Sequence, residues 1–179
     1  MNSIELIKKF RPIFVFSKGE KYYPINKKSL DMKSNDIQIN DIENLTSPEE
    51  PLYYHIIEED TDEIAVSYIL IFPYSTKGFF NFSGERGDIL SCVVVIDKRT
   101  KTIKEIYYWN GNNQSFEMKT TRPVVFITAN DHKFMKKMDK NVSGLRWESE
   151  KIENFNISKL NGKTIEGKNF DDFLKSYNM

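Results

Sequence analysis

Leu52-Tyr53-Tyr54-His55-Ile56-Ile57, then Glu58-Glu59-Asp60-Thr61-Asp62, then Ile64-Ala65-Val66-Ser67-Tyr68-Ile69-Leu70-Ile71-Phe72, is the stretch that decides the fold. Two runs rich in β-branched and aromatic residues flank a short acidic segment, and that layout predicts an antiparallel hairpin. The pattern repeats: Asp88 to Asp97 and Thr102 to Trp109 flank Lys98-Arg99-Thr100-Lys101. Strict alternation in the last run puts Lys104, Ile106 and Tyr108 on one face, and Ile103, Glu105, Tyr107 and Trp109 on the other. Aromatics on both faces imply a sheet covered at least in part on each side. Asn110-Gly111 is a hairpin turn, because both positions tolerate positive φ, so Gln114 to Lys119 should return antiparallel. Pro123 to Thr128 reads as one more apolar strand.

Working outward, Asn2 and Glu5 have the spacing of a capping box opening a short helix through Leu6, Ile7 and Phe10. Arg11-Pro12 ends it, since proline forces the preceding residue out of helical geometry. Ile13-Phe14-Val15-Phe16 follows as a buried strand, Ser17-Lys18-Gly19-Glu20 as a turn, and Tyr22-Tyr23-Pro24 as an extended stretch. A short helix is expected around Lys28 to Lys33, and a polar loop from Ser34 to Pro51. Toward the C-terminus, Asp131 to Lys140 is basic and fits a short helix or a loop. Asn169 has the form of an N-cap for a helix whose apolar stripe is Phe170, Phe173, Leu174 and Tyr177. The fold expected is mainly β: an antiparallel β-sandwich with short N- and C-terminal helices, a single domain over residues 1–179. Its core should contain Phe14, Phe16, Ile69, Val94, Ile96, Val124 and Phe126.

Composition supports a folded domain. Of 179 residues, 39% are hydrophobic and 13% aromatic, enough to fill a core and too many for a disordered chain. The 26 basic and 26 acidic residues cancel, so a generic electrostatic grip on nucleic acid is not indicated. No apolar stretch approaches the roughly 20 residues of a membrane helix. The N-terminus lacks a secretory layout, so a reducing, intracellular setting is expected for this soluble chain. Cys92, within Ser91-Cys92-Val93-Val94-Val95, is expected to be a buried hydrophobe. Lysine outnumbers arginine and Asn and Ile are frequent, which points to an AT-rich genome such as that of a large DNA virus or a microbial eukaryote.

Candidate chemistry is sparse. Gly84-Glu85-Arg86-Gly87-Asp88 reads as a glycine-flanked turn with two carboxylates, an oxygen donor set of the kind Mg²⁺ or Ca²⁺ prefers; the competing reading is a solvated turn. His132 follows an apolar strand and could complete such a site as ligand or base, whereas His55 reads as a packed strand residue. Two histidines exclude a three-histidine zinc site. Tyr107 and Trp109 could form a stacking platform for a sugar, against the commoner role of aromatics in core packing. Lys133, Lys136, Lys137 and Lys140 read as a solvated basic face. No nucleophile elbow, phosphate loop or dinucleotide fingerprint is present.

Several segments, in order, resemble the vacuolar protein sorting-associated protein 62-like family. They are Arg11-Pro12-Ile13-Phe14-Val15-Phe16, Glu20-Lys21-Tyr22-Tyr23-Pro24, Pro51-Leu52-Tyr53-Tyr54-His55, Tyr68 to Tyr74, and Arg122-Pro123-Val124-Val125-Phe126-Ile127 with Asp131-His132 beyond. At the family's H-E-G-D-W-E hallmark this chain has Glu85-Arg86-Gly87-Asp88-Ile89-Leu90, keeping only Gly87 and Asp88. A related-looking motif in necrosis-inducing toxins supplies metal-binding carboxylates on a β-sandwich. The resemblance therefore implies a β-sandwich without an established enzymatic activity, and confines any carried-over metal site to Asp88, Glu85 and His132.

The expectation for function is a non-enzymatic binding or assembly module, with a protein partner or self-association first, as in a viral structural component, and a virion as one setting. The alternatives are a divalent-cation-dependent binding module or hydrolase using Asp88, Glu85 and His132, and a lectin-like or lipid-headgroup binder using Tyr107 and Trp109.

Overall fold

The computed structural model describes residues 1–20, 24, 51–77, 83–109, 113–117, 122–135 and 145–155, and the backbone of 164–165 and 168–169; side chains at 73–77, 83–89, 109, 113–117 and 145 lie outside that description. Helix α1 (Ser3–Lys9) starts as its sequence dictates. Asn2 accepts a hydrogen bond from the Glu5 amide at 2.9 Å, and the Glu5 carboxylate accepts one from the Asn2 amide, also at 2.9 Å. Leu6, Ile7 and Phe10 bury the inner face of the helix.

Two mixed sheets follow. The larger has six strands in the order β10-β2-β3-β4-β5-β6: Ile152–Asn154, Leu52–Glu59, Glu63–Lys77, Ser83–Asp97, Thr102–Trp109 and Asn113–Glu117. The smaller has four, β8-β7-β1-β9: Phe134–Met135, Val124–Ile127, Ile13–Phe16 and Leu145–Trp147. A backbone ribbon joins β11 (Thr164–Ile165) and β12 (Lys168–Asn169). The expected hairpins are present, and Asp60 closes the first by accepting the amides of Asp62 and Glu63 at 2.7 Å each. Most pairings are antiparallel, as expected, and two are parallel, β1 with β7 and β10 with β2. The expected C-terminal helix and the segments 25–50 and 136–144 lie outside the described residues.

The core lies between the sheets. Phe14, Phe16, Val125, Ile127 and Trp147 face Tyr54, Val66, Tyr68, Leu70, Phe72, Leu90, Cys92, Val94 and Ile96, with Leu6, Ile7 and Phe10 at one end. The Tyr68 hydroxyl donates to the Ile7 carbonyl at 2.8 Å, tying the central strand to the helix. The opposite face of the central strands is buried as well, at Ser67, Ile69, Ile71, Ser91 and Val93, so the reading of a sheet covered on both sides holds.

Three expectations need correction. Val124 is 37% exposed and Phe126 half-buried, while Val125 and Ile127 point inward. A uniformly apolar strand carries no alternation, so its phase is set by the partner sheet alone. In β5, Ile103, Ile106 and Tyr108 all face the core, because the β4–β5 register shifts between Val95 and Ile96. A bulge of this kind gives one strand an extra residue and reverses the faces beyond it. Finally, Gly84 to Asp88 is not a turn; it lies within β4, paired with β3 from Lys77↔Ser83 to Phe72↔Asp88. The ladder omits Pro73↔Gly87. Proline has no amide hydrogen to donate there.

Candidate functional site

β1 and β7 run parallel, so the loops that follow them leave the sandwich at the same end. The Ser17 amide donates to the Ile127 carbonyl at 2.9 Å, and the Ala129 amide donates to Ser17 Oγ at 2.6 Å. Gly19 turns the first loop at φ +96°, a region that L side chains rarely adopt. The second loop, Thr128 to Lys133, holds Asn130 at φ 65° and His132 at φ 47°. Asparagine tolerates that conformation; for histidine it costs of order 1 kcal/mol and persists only where its surroundings enforce it.

Those surroundings are visible. Thr128 Oγ1 bonds the Asp131 carboxylate and accepts the Lys133 amide at 2.8 Å. Asn130 donates its amide to Glu20 Oε2 at 2.8 Å and its side chain to the Gly19 carbonyl at 3.2 Å. The His132 ring lies flat on Phe72, with centroids 3.8 Å apart and planes 13° apart. Its Nε2 sits 3.4 Å from Glu20 Oε1. Both side chains are sealed from solvent, at 0% and 1% exposure. The result is a buried acid–imidazole pair clamping two loops under an aromatic lid.

Of the residues singled out in the sequence, His132 is therefore at the centre of this cluster. Asp88 occupies the register position directly across β3 from Phe72. Such partners have Cβ atoms about 4.5–5.5 Å apart, so its backbone borders the ring that covers His132. Glu85 lies opposite Ser75, roughly 10 Å further along the strand at about 3.3 Å per residue. The side chains of Asp88 and Glu85 are outside the described residues; among the described ones no three His, Cys, Asp or Glu residues are grouped to hold a metal ion. Glu20 was not foreseen. Its signal was the glycine before it, which allows the chain to fold back toward the β7 loop.

Tyr107 lies elsewhere. It pairs with Val93, whose side is the outer face of the large sheet, away from the core face that carries Phe72. It is half-buried, and its hydroxyl bonds the Glu105 carboxylate. Burial, then that bond, pushes its pKa up to about 12. Trp109 shares its strand, but the Trp109 side chain is outside the described residues. Tyr107 and the histidine cluster thus lie on opposite faces of the large sheet. Lys133 is exposed, as read, and sits 3.7 Å from Asp131; the other three lysines of its run lie outside the described residues. Cys92 is buried, and burial pushes its thiol far above its ordinary range, so the reading of an inert hydrophobe holds.

Two facing sheets around one core make the chain a β-sandwich, and several solved structures share its fold. A solved structure described as a toxin fold for microbial attack and plant defense is 14% identical, with 96% of this chain and 88% of that chain covered, at a TM-score of 0.63. NLPPya in complex with mannosamine is 13% identical over 96% of this chain and 88% of its own, with a TM-score of 0.59. Necrosis and Ethylene inducing Protein 2, from the causal agent of cocoa's Witches Broom disease, is 15% identical over 83% of this chain and 72% of its own, with a TM-score of 0.53. No protein-family model and no curated protein matches the chain. At these identities the likeness establishes the fold. The β-sandwich expected from the sequence is the fold that these solved structures share.

Proposed function

We propose that this chain is a non-enzymatic recognition module that binds a polar ligand of the amino-sugar type. The observation that carries this reading is the sealing of the one described acid–histidine pair. An imidazole at 0% exposure, stacked on Phe72 and facing Glu20, holds loops together and has no path for exchanging protons with a substrate. Cys92, the other reactive group considered, is buried with its thiolate strongly disfavoured. A neighbour of the same fold, solved in complex with mannosamine, motivates the ligand class. Membership of the vacuolar protein sorting-associated protein 62-like family belongs to the same proposal. Its support is that two of the resembling segments, Ile13 to Phe16 and Val124 to Ile127, pair side by side.

The test is titration of the full chain with mannosamine and glucosamine, followed by nuclear magnetic resonance, beside incubation with ester, phosphodiester and glycoside reporters. Saturable binding without turnover is the expected result. Catalysed turnover of any reporter would overturn the non-enzymatic reading; absence of saturation by either sugar would overturn the ligand class.

A second reading, a divalent-cation-dependent module, draws on the position of Asp88 across from Phe72. It requires millimolar Mg²⁺ or Ca²⁺ to raise the melting temperature and Asp88→Asn to abolish that gain. We expect neither, because Leu90, in strand phase with Asp88, is buried in the core and offers no oxygen.

A further inference from the structure

The outer face of the six-stranded sheet carries a carboxylate and a ring that the clamp does not use. Glu105 stands on β5 across from Val95, and Tyr107 stands across from Val93. Val93 and Val95 are buried but lie outside the core between the two sheets, so Glu105 and Tyr107 project from the opposite face. Residues two apart on a strand share a side at about 6.7 Å, within reach of a tyrosine side chain. The contact is made, because the Tyr107 hydroxyl donates to the Glu105 carboxylate. Both residues are half-buried.

Glu105 is an anion without a cation. Among the described residues it has no ion-pair partner. Lys104 is its chain neighbour, but the Lys104 ammonium bonds Glu63 Oε1 at 2.6 Å. That bond, ahead of any pull from Glu105, raises the Lys104 pKa. A half-buried carboxylate suffers desolvation that one neutral hydroxyl offsets only in part, whereas a charged donor offsets more. The hydroxyl does something else: it holds the carboxylate in one orientation and favours its ionised form. The rim is open to water, since Lys104 and Glu63 are 52% and 38% exposed.

The geometry points to Glu105 and Tyr107 as the seat of the amino sugar, with Glu105 accepting its ammonium group and the Tyr107 ring taking its carbon face. This rests on the recognition reading proposed above and adds the place where it happens. A carboxylate gives an ammonium a charge-assisted hydrogen bond, and an aromatic ring beside it attracts the same cation through its quadrupole. The ring also offers an apolar surface to the C–H groups of a pyranose. A neutral hexose keeps the ring contact and loses the charged one, so the site separates glucosamine from glucose.

The test uses the full chain. Glucosamine and glucose are titrated, followed by nuclear magnetic resonance, against the wild type, Glu105→Gln, Tyr107→Leu and the control Glu150→Gln, an exposed carboxylate on the connection after β9. Glu105→Gln preserves shape and removes only the charge, so it remains informative even if Tyr107→Leu disturbs the sheet; circular dichroism checks that each variant is folded. The expected result is saturation by glucosamine that Glu105→Gln weakens about tenfold and Glu150→Gln leaves unchanged, with glucose at least tenfold weaker on the wild type. Saturation of the wild type by glucosamine that Glu105→Gln leaves intact, or that both glutamine variants weaken equally, overturns this site while the recognition reading stands. Glucose binding as tightly as glucosamine also overturns it, because the carboxylate then contributes nothing. A wild type that glucosamine does not saturate removes the recognition reading and the site together.

Discussion

Phe72→Ala should be among the most damaging single changes in this protein, and the contrast with Phe126→Ala makes the reason measurable. Phe72 is at 0% exposure, stacked on His132 at 3.8 Å and set edge-on to Phe16 at 6.0 Å and 86°. Deleting a fully packed ring costs about 3–5 kcal/mol. Each well-placed aromatic contact adds about 0.5–1.5 kcal/mol beyond burial, which places Phe72→Ala at about 4–5 kcal/mol. Phe126 is equally apolar and sits in a strand, but it is half-buried on the outer face of the small sheet. Water can fill the space left there, so no cavity term arises, and half of a full ring transfer leaves about 1–1.5 kcal/mol. In equilibrium urea denaturation, with a slope of about 2 kcal/mol/M, the two variants should differ by about 1.5 M in midpoint at unchanged slope. Equal midpoints would show that β7 is packed on its other face and that the register with β1 is wrong. A small effect of Phe72→Ala would show that the ring is no lid over the Glu20–His132 clamp.

Two further outcomes follow from the titrating groups. The Cys92 thiol should resist a disulfide reagent at pH 8 in the native protein and react fully in denaturant, because burial holds it protonated; rapid native labelling would contradict its place between the sheets. Burial lowers the His55 pKa, partly offset by its bond to the Phe155 backbone, so the folded protein binds fewer protons there than the unfolded chain. Stability from this group is therefore whole above pH 6.5 and declines as pH falls below it; His55→Asn should flatten denaturant midpoints measured between pH 5 and 7, and an unchanged slope would sink the assignment.

The amino-acid pattern by itself determined a good deal. Asn2 and Glu5 satisfy each other locally, so the helix start needed no tertiary knowledge. The hairpins were legible because apolar runs and turn residues act over a few positions, and Leu52 to Glu59 with Glu63 to Lys77 pair as read. Phe14, Phe16, Ile69, Val94 and Ile96 are all at 0% exposure, as their strands implied. What only the tertiary structure decided is whatever depends on which strand lies beside which. The inward phase of β7 is set by its register with β1, far away in sequence, since Val124 to Ile127 carries no alternation of its own. The reversal of faces in β5 comes from a bulge, which adds one residue to a ladder and leaves no mark in composition. Glu20 and His132 stand more than a hundred residues apart and meet only because two parallel strands release their loops at the same end. The same parallel pairing brings Arg11 and Arg122 together at the other end, where Glu148, just past β9, pairs with both. Local backbone preference can be read along the chain; contacts between distant segments cannot, because they are fixed by how two sheets share one core.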